Sequence, residues 1–279
     1  MSFLAQAKKP GEAPKPPILT MIGSPGSGKS SLAALFPNPV FIQAEEASTV
    51  FESWDADIQP TMLPELPKAS DKSKTFETLK AQMTELATAD HEFKTLVIDS
   101  VTALNSKLEQ EVALEDGVST VADAAGGFHK GYKVVMDRHA QLIYWCEQLR
   151  KRKNMAIVFL AHTDIQKIKL SPEEGSEYSV YSLAMHKDSA ALYVNNSDGV
   201  YYIKKEQFVT GAVQNNKGQT TKFGRVMQTG NRILITTGDG KQGYVHAKSR
   251  YPLPPELELP LGENPVLQYI PFFNTNKGE

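Results

Sequence analysis

Eight consecutive residues, Gly23–Ser30 with the sequence GSPGSGKS, constrain this chain more than any other stretch. Gly23, Gly26 and Gly28 let the backbone curl tightly enough to aim successive N–H groups at one anion. A continuous apolar run, Ile18–Ile22, precedes the turn, and a helical pattern, Ser30–Phe36, follows it until Pro37 and Pro39. Strand, glycine-rich turn and helix in that order are what a phosphate-binding loop requires. Gly23, Ser24, Pro25, Gly26, Ser27, Gly28, Lys29, Ser30 and Ser31 are therefore the expected ATP-binding residues. Lys29 is expected to reach the β- and γ-phosphates, and the Ser30 hydroxyl to ligate the Mg²⁺ that accompanies ATP.

The pattern around the loop predicts an α/β fold, with a mainly parallel sheet flanked by helices. Val40–Ala44, Leu96–Ile98 and Met155–Ala161 read as further buried strands, and Thr75–Ala89, Val101–Leu114 and Lys133–Lys153 carry helical spacing. Beyond Thr163 the texture changes to short segments between Gly, Asn and Asp. Ala190–Asn195, Gly199–Lys204, Arg232–Thr236 and Gly243–Ala247 read there as strands and hairpins that extend the sheet. The expected organisation is a flexible leader over residues 1–17, one ATPase domain over 18–251, and a Pro-rich acidic tail over 252–279.

With 41% hydrophobic residues among 279, the chain can bury a large core. No run approaches the roughly 18 apolar residues of a membrane span, and the first residues lack the apolar centre of a secretory signal. The single cysteine, Cys146, excludes an internal disulfide, reads as a core filler and fits a reducing cytoplasm. Charge is unevenly spread. Residues 41–129 hold 6 basic against 17 acidic residues, a net −11, and residues 130–250 hold 19 against 10, a net +9. A basic face able to attract a polyanion is compatible with that split.

Asp99 ends the run TLVID, where a carboxylate is costly unless it has a task. Its expected task is to hold the metal ion together with Ser30. No acidic residue follows Asp99 directly. The carboxylates able to orient an attacking water are Glu45 and Glu46, just past the second strand, with Glu45 the better spaced.

In that arrangement the sequence resembles the RecA superfamily, where a catalytic glutamate follows the strand after the phosphate-loop helix. The resemblance implies that His162, at the end of MAIVFLAH, senses the γ-phosphate as a polar strand-end residue. It also extends to Lys248-Ser249-Arg250, which resembles the Lys-x-Arg element of RecA-fold motors. There both cations reach a neighbouring subunit's γ-phosphate. Lys29, Glu45, His162, Lys248 and Arg250 are thus the expected catalytic set.

The order of these motifs over residues 18–250 is similar to the phage AAA-type ATPase family, which includes RecA-like single-strand annealing proteins of the Sak group. That resemblance implies a homo-oligomer (ring or filament), single-stranded DNA as partner, a single-strand binding protein as a further one, and no membrane. Two loops would face the DNA, residues 115–131 and 163–188, with Lys130, Lys133, Lys167 and Lys169 as cations and Tyr178 and Tyr181 as stacking platforms. Phe3 and Leu4 of the leader are the expected anchors on a neighbouring copy. A helicase-like motor and an ATP-dependent loader or adaptor in phage DNA replication are the alternatives. A small-molecule kinase would leave Lys248 and Arg250 unexplained.

Overall fold

The computed structural model describes residues 14–70, 73–169, 177–210, 213–214, 220–222, 225–238 and 245–274. From the amino terminus the elements run β1 (Ile18–Gly23), α1 (Lys29–Ala34), β2 (Pro39–Gln43), β3 (Thr61–Met62), α2 (Thr75–Thr88), β4 (Thr95–Asp99), α3 (Val101–Glu115) and α4 (Lys130–Arg152). They continue as β5 (Ala156–Lys169), β6 (Glu177–Leu183), α5 (Lys187–Asn196), β7 (Gly199–Thr210), β8 (Val213–Gln214), β9 (Thr220–Lys222), β10 (Arg225–Ile235), β11 (Lys248–Ser249), β12 (Glu256–Glu258) and α6 (Pro271–Asn274).

One sheet carries the order β12-β10-β7-β1-β5-β4-β2-β3. From β7 to β3 neighbouring strands are parallel. Strands β10, β11, β12 and β6 add antiparallel pairings. The buried stretches of the central strands are mostly apolar because both of their faces are covered. Ile18 and Ile22 of β1 join Leu79, Leu104, Leu142 and Tyr193 of α2–α5 on one side. Leu19 and Met21 join Leu32 of α1, with Leu259, Val266 and Ile270, on the other. Residues 252–274 are thus folded onto the α1 face, where the Phe36 and Phe273 rings meet at 5.7 Å. Among the described residues no helix is long and apolar enough to cross a membrane. Cys146 is fully buried in α4, and burial pushes its thiol well above the usual range.

Three expectations are corrected. Ala190–Asn195 lies in helix α5, whose buried Ser189, Ala190, Tyr193 and Val194 follow helical spacing. A short apolar run with Tyr and Val resembles a strand until packing chooses for it. The stretch from Thr163 is no open loop, since β5 continues to Lys169 and pairs residue by residue with β6, Thr163 facing Leu183. Finally, Gly243–Ala247 forms no strand in its described part: Val245 makes a single bridge to Tyr181, and residues 243–244 lie outside the described residues. Phe3 and Leu4 also lie outside them.

Candidate functional site

Gly23 closes β1 between His162 of β5 and Ile203 of β7. A Cβ there would stand 2.6 Å from Ser27 Oγ and 2.7 Å from the Ile203 carbonyl oxygen, so only glycine fits. Beyond it the chain turns back on itself, and Lys29 folds under the turn. Its Nζ donates to the carbonyl oxygens of Gly23 at 2.9 Å and Ser24 at 3.1 Å. Burial holds this ammonium below its ordinary pKa, with Asp99 and Glu45 pulling the other way. Phosphate oxygens are better acceptors than those carbonyls, and the lysine can trade one for the other. The Ser27 hydroxyl is buried and without a partner among the described residues.

Ser30 Oγ donates to Asp99 Oδ2 at 2.6 Å. Strand β5 lies between β1 and β4, so the serine of one strand–helix turn meets the carboxylate of a strand two places away. Asp99 is 3% exposed, and burial raises its pKa against the Ser30 hydrogen bond. The adjacent Ser100 caps α3, its hydroxyl accepting from the Ala103 N–H at 3.2 Å, which leaves Asp99 for Ser30. A hydroxyl and a buried carboxylate in contact are oxygen ligands suited to Mg²⁺, which takes its remaining positions from phosphate and water. Ser30 and Asp99 would hold that ion, and its charge would offset that of the triphosphate.

The ends of β2, β4 and β5 converge, with Gln43, Asp99 and Leu160 side by side. Two residues further on, Glu45 and His162 come together. Glu45 Oε1 accepts from Ser100 Oγ at 2.7 Å and lies 3.1 Å from His162 Nε2. The His162 hydrogen bond is the largest cause of a lowered Glu45 pKa, helped by Ser100 and by the charge of Lys29. Glu46 is turned away, its carboxylate accepting from the N–H of Ser48 at 2.9 Å. The geometry therefore brings Glu45, and not Glu46, to the loop. Among the described residues His162 Nδ1 is buried without a partner, and the His162 backbone N–H donates to Thr102 Oγ1 at 3.1 Å.

Lys248 and Arg250 are elsewhere. Strand β11 pairs with the beginning of β7, Ser249 opposite Gly199, and Gly199 is level with Leu19 of β1. Four residues at about 3.3 Å each separate that level from Gly23, roughly 13 Å along the strand. Arg250 Nη1 donates to Asp198 Oδ1 at 3.0 Å. Asp198 Oδ2 accepts from Arg150 Nη2 at 2.9 Å and from the Ile18 N–H at 3.0 Å. The two cations sit at the opposite edge of the sheet from their own phosphate loop, and Arg250 is 68% exposed.

Of the expected DNA cations, Lys130 and Lys133 lie in the first turn of α4, and Lys167 is exposed on the β5–β6 hairpin. The side chains of Lys169 and Tyr178 fall outside the described residues. Tyr181 is stacked on Tyr202 at 5.3 Å instead of standing free. The sequence offered no pointer to a ladder of rings joining the two expected loops. His129 stacks on Tyr132 at 5.9 Å, and Tyr132 on His186 at 4.5 Å. Ser100, Thr102 and Asp198 were also missed as site partners. Each is an ordinary polar residue whose partners lie far off in the chain.

Fold and site together define a P-loop NTPase: a looped strand end, a buried lysine, and a serine–aspartate pair at the carboxyl edge of a parallel sheet. A family model described as an AAA domain matches residues 15–251, and the chain belongs to that family. Nucleotide hydrolysis is the general activity of such a domain. No curated protein matches the chain.

Proposed function

We propose that the protein is an oligomeric ATPase whose active site is completed by a second copy and which acts on single-stranded DNA. One observation carries this reading. Lys29, Ser30, Asp99, Glu45 and His162 gather at one edge of the sheet, and Arg250 is held at the other. The arginine, exposed although anchored on Asp198, is out of reach of its own loop and would enter a neighbour's. In hydrolysis Glu45, kept ionised by His162 and Ser100, would orient a water and take its proton as the oxygen attacks the γ-phosphorus. The bond to ADP then breaks, and Lys29 with the neighbour's Lys248 and Arg250 would stabilise the charge that develops.

The DNA reading is supported by the loop before α4. Residues 125–129 run at positive φ, including the non-glycine Ala125, Phe128 and His129. Such backbone is strained for residues with a Cβ and tends to persist where function uses it. It presents Phe128, 91% exposed, beside Lys130 and the His129–Tyr132–His186 ladder. Rings and cations of this kind suit an unpaired strand. Annealing of complementary strands in phage recombination is the role this reading favours.

Mixing variants tests the shared site. Arg250→Ala and Glu45→Gln proteins should each bind ATP and hydrolyse it poorly, and an equimolar mixture should recover part of the lost turnover. Absence of recovery counts against a trans-acting arginine. Phe128→Ala and Lys167→Glu should weaken salt-dependent binding to a labelled oligonucleotide, and unchanged affinity in both would remove DNA from this face. ATP-driven directional unwinding of a duplex would instead make the protein a motor.

A further inference from the structure

On the side of the phosphate loop away from Asp99 and Glu45, the sheet continues into β7 and β10, which are paired so that Arg232 faces Lys205. Side chains of such an antiparallel pair share a face. Leu234, two residues from Arg232, belongs to the α1 side of the sheet, so Arg232 points to that side as well. There it meets the loop. A Cβ at Gly28 would clash with Arg232 Nη1 and stand 3.1 Å from its Cδ and 3.3 Å from its Cζ. The guanidinium therefore lies against Gly28, whose φ of +92° already favours glycine. An arginine more than 200 positions away in sequence is part of the wall of the phosphate loop.

This arginine is not absorbed by the fold. Among the described residues it makes no ion pair, and its side chain donates only to the Pro260 carbonyl oxygen, at 3.4 Å. The same loop carries Ser27, 3% exposed, whose buried hydroxyl has no partner among the described residues. A guanidinium without a counter-ion and a buried hydroxyl without a partner among the described residues, both against one turn of backbone, fit an anion that passes between them.

We propose that Arg232 is a nucleotide-binding residue supplied by the same chain, pairing with the phosphate chain where it crosses Gly28. This rests on reading Gly23–Ser30 as the phosphate loop. It differs from the role of Arg250, which approaches from another copy and serves the step of hydrolysis. Arg232 would act on binding and would do so in a single subunit.

Binding of ATP and of inorganic tripolyphosphate, measured calorimetrically with Mg²⁺ present, separates the possibilities. Arg232→Gln keeps most of the stem and removes the charge; it should raise Kd about tenfold for both ligands. Arg232→Lys keeps a charge without the planar fork and should raise it about threefold. Near-UV circular dichroism of both variants should match the parent. If ATP binding weakens and tripolyphosphate binding does not, the guanidinium serves the nucleoside and the proposal is wrong. Unchanged Kd for both ligands also overturns it. Lys29→Ala is the control for the underlying reading: a parent-like Kd there would remove the phosphate loop itself, whereas a weakened Lys29→Ala beside a parent-like Arg232→Gln rejects Arg232 alone.

Discussion

Glu45 and His162, 117 positions apart, meet with Oε1 and Nε2 separated by 3.1 Å. Between their two strands lies β4, and its next residue, Ser100, holds the same carboxylate oxygen. The contact joins the residue expected to activate water to the residue expected to sense phosphate. Whatever moves the imidazole therefore shifts the pKa of the carboxylate and frees its orientation.

The first consequence is in the pH profile. The His162 hydrogen bond is the main cause that holds the Glu45 pKa down, and a base must be ionised to act. If Glu45 is that base, activity should be lost as pH falls through the lowered value. In His162→Asn the value returns toward the ordinary carboxylate range, so the acidic limb of kcat/KM should move to higher pH. A limb that stays in place would mean that Glu45 is not the base.

Asp99 shows the opposite trade. Burial raises its pKa in the folded state, so the ionised form is less favourable folded than unfolded. That penalty is present above the raised value and vanishes at pH low enough to protonate the group in both states. Asp99→Asn should therefore raise Tm at pH 7.5, measured without nucleotide or metal, with the gain fading in acid. The same variant should lose Mg²⁺-dependent turnover. A lowered Tm at pH 7.5 would show that the Ser30 contact outweighs desolvation.

Asp198 is a structural hub at the other edge of the sheet. It is 4% exposed and holds Arg150, Arg250 and the Ile18 N–H. Removing it leaves the Ile18 N–H without an acceptor and Arg150 with Glu147 as its remaining anion, at a cost of about 1–3 kcal/mol. Asp198→Ala should lose that much in urea denaturation. A loss under about 1 kcal/mol would class the cluster with solvated surface pairs.

His139 sits wholly inside the helical layer, between Tyr193 OH at 2.7 Å and Asn105 Oδ1 at 3.2 Å. Burial pushes its pKa from 6.5 down to about 3. The unfolded chain takes up a proton below 6.5 that the folded chain refuses, so this contribution to stability is complete above 6.5 and falls in acid. The slope is about 1.4 kcal/mol per pH unit. His139→Gln lacks it, so the stability gap between parent and variant should shrink at that rate between pH 6 and pH 4.5, roughly the window that acid unfolding leaves open. A gap independent of pH would mean that the imidazole titrates normally.

What the sequence determined by itself was local or repetitive. The phosphate loop is contiguous, and its glycines, lysine and serine mark one chemistry wherever they stand. The strands around it were legible because a strand covered on both faces must be largely apolar, as β1, β4 and the first half of β5 are. Asp99 was legible as the exception to that rule. Helix α5 was not, because ten residues are too few for periodicity to prevail over the strand preference of Tyr193 and Val194.

Tertiary structure decided the rest, since contacts between distant residues leave no trace in spacing. It turned Glu45 inward to His162 and left Glu46 on Ser48. It carried Lys248 and Arg250 to the far edge of the sheet, because β11 pairs with the start of β7 instead of its end. It laid Arg232 against Gly28 through the register of β10 on β7. A one-residue change in that register would send the arginine to the opposite face, and nothing in the sequence around residue 232 states which face it takes.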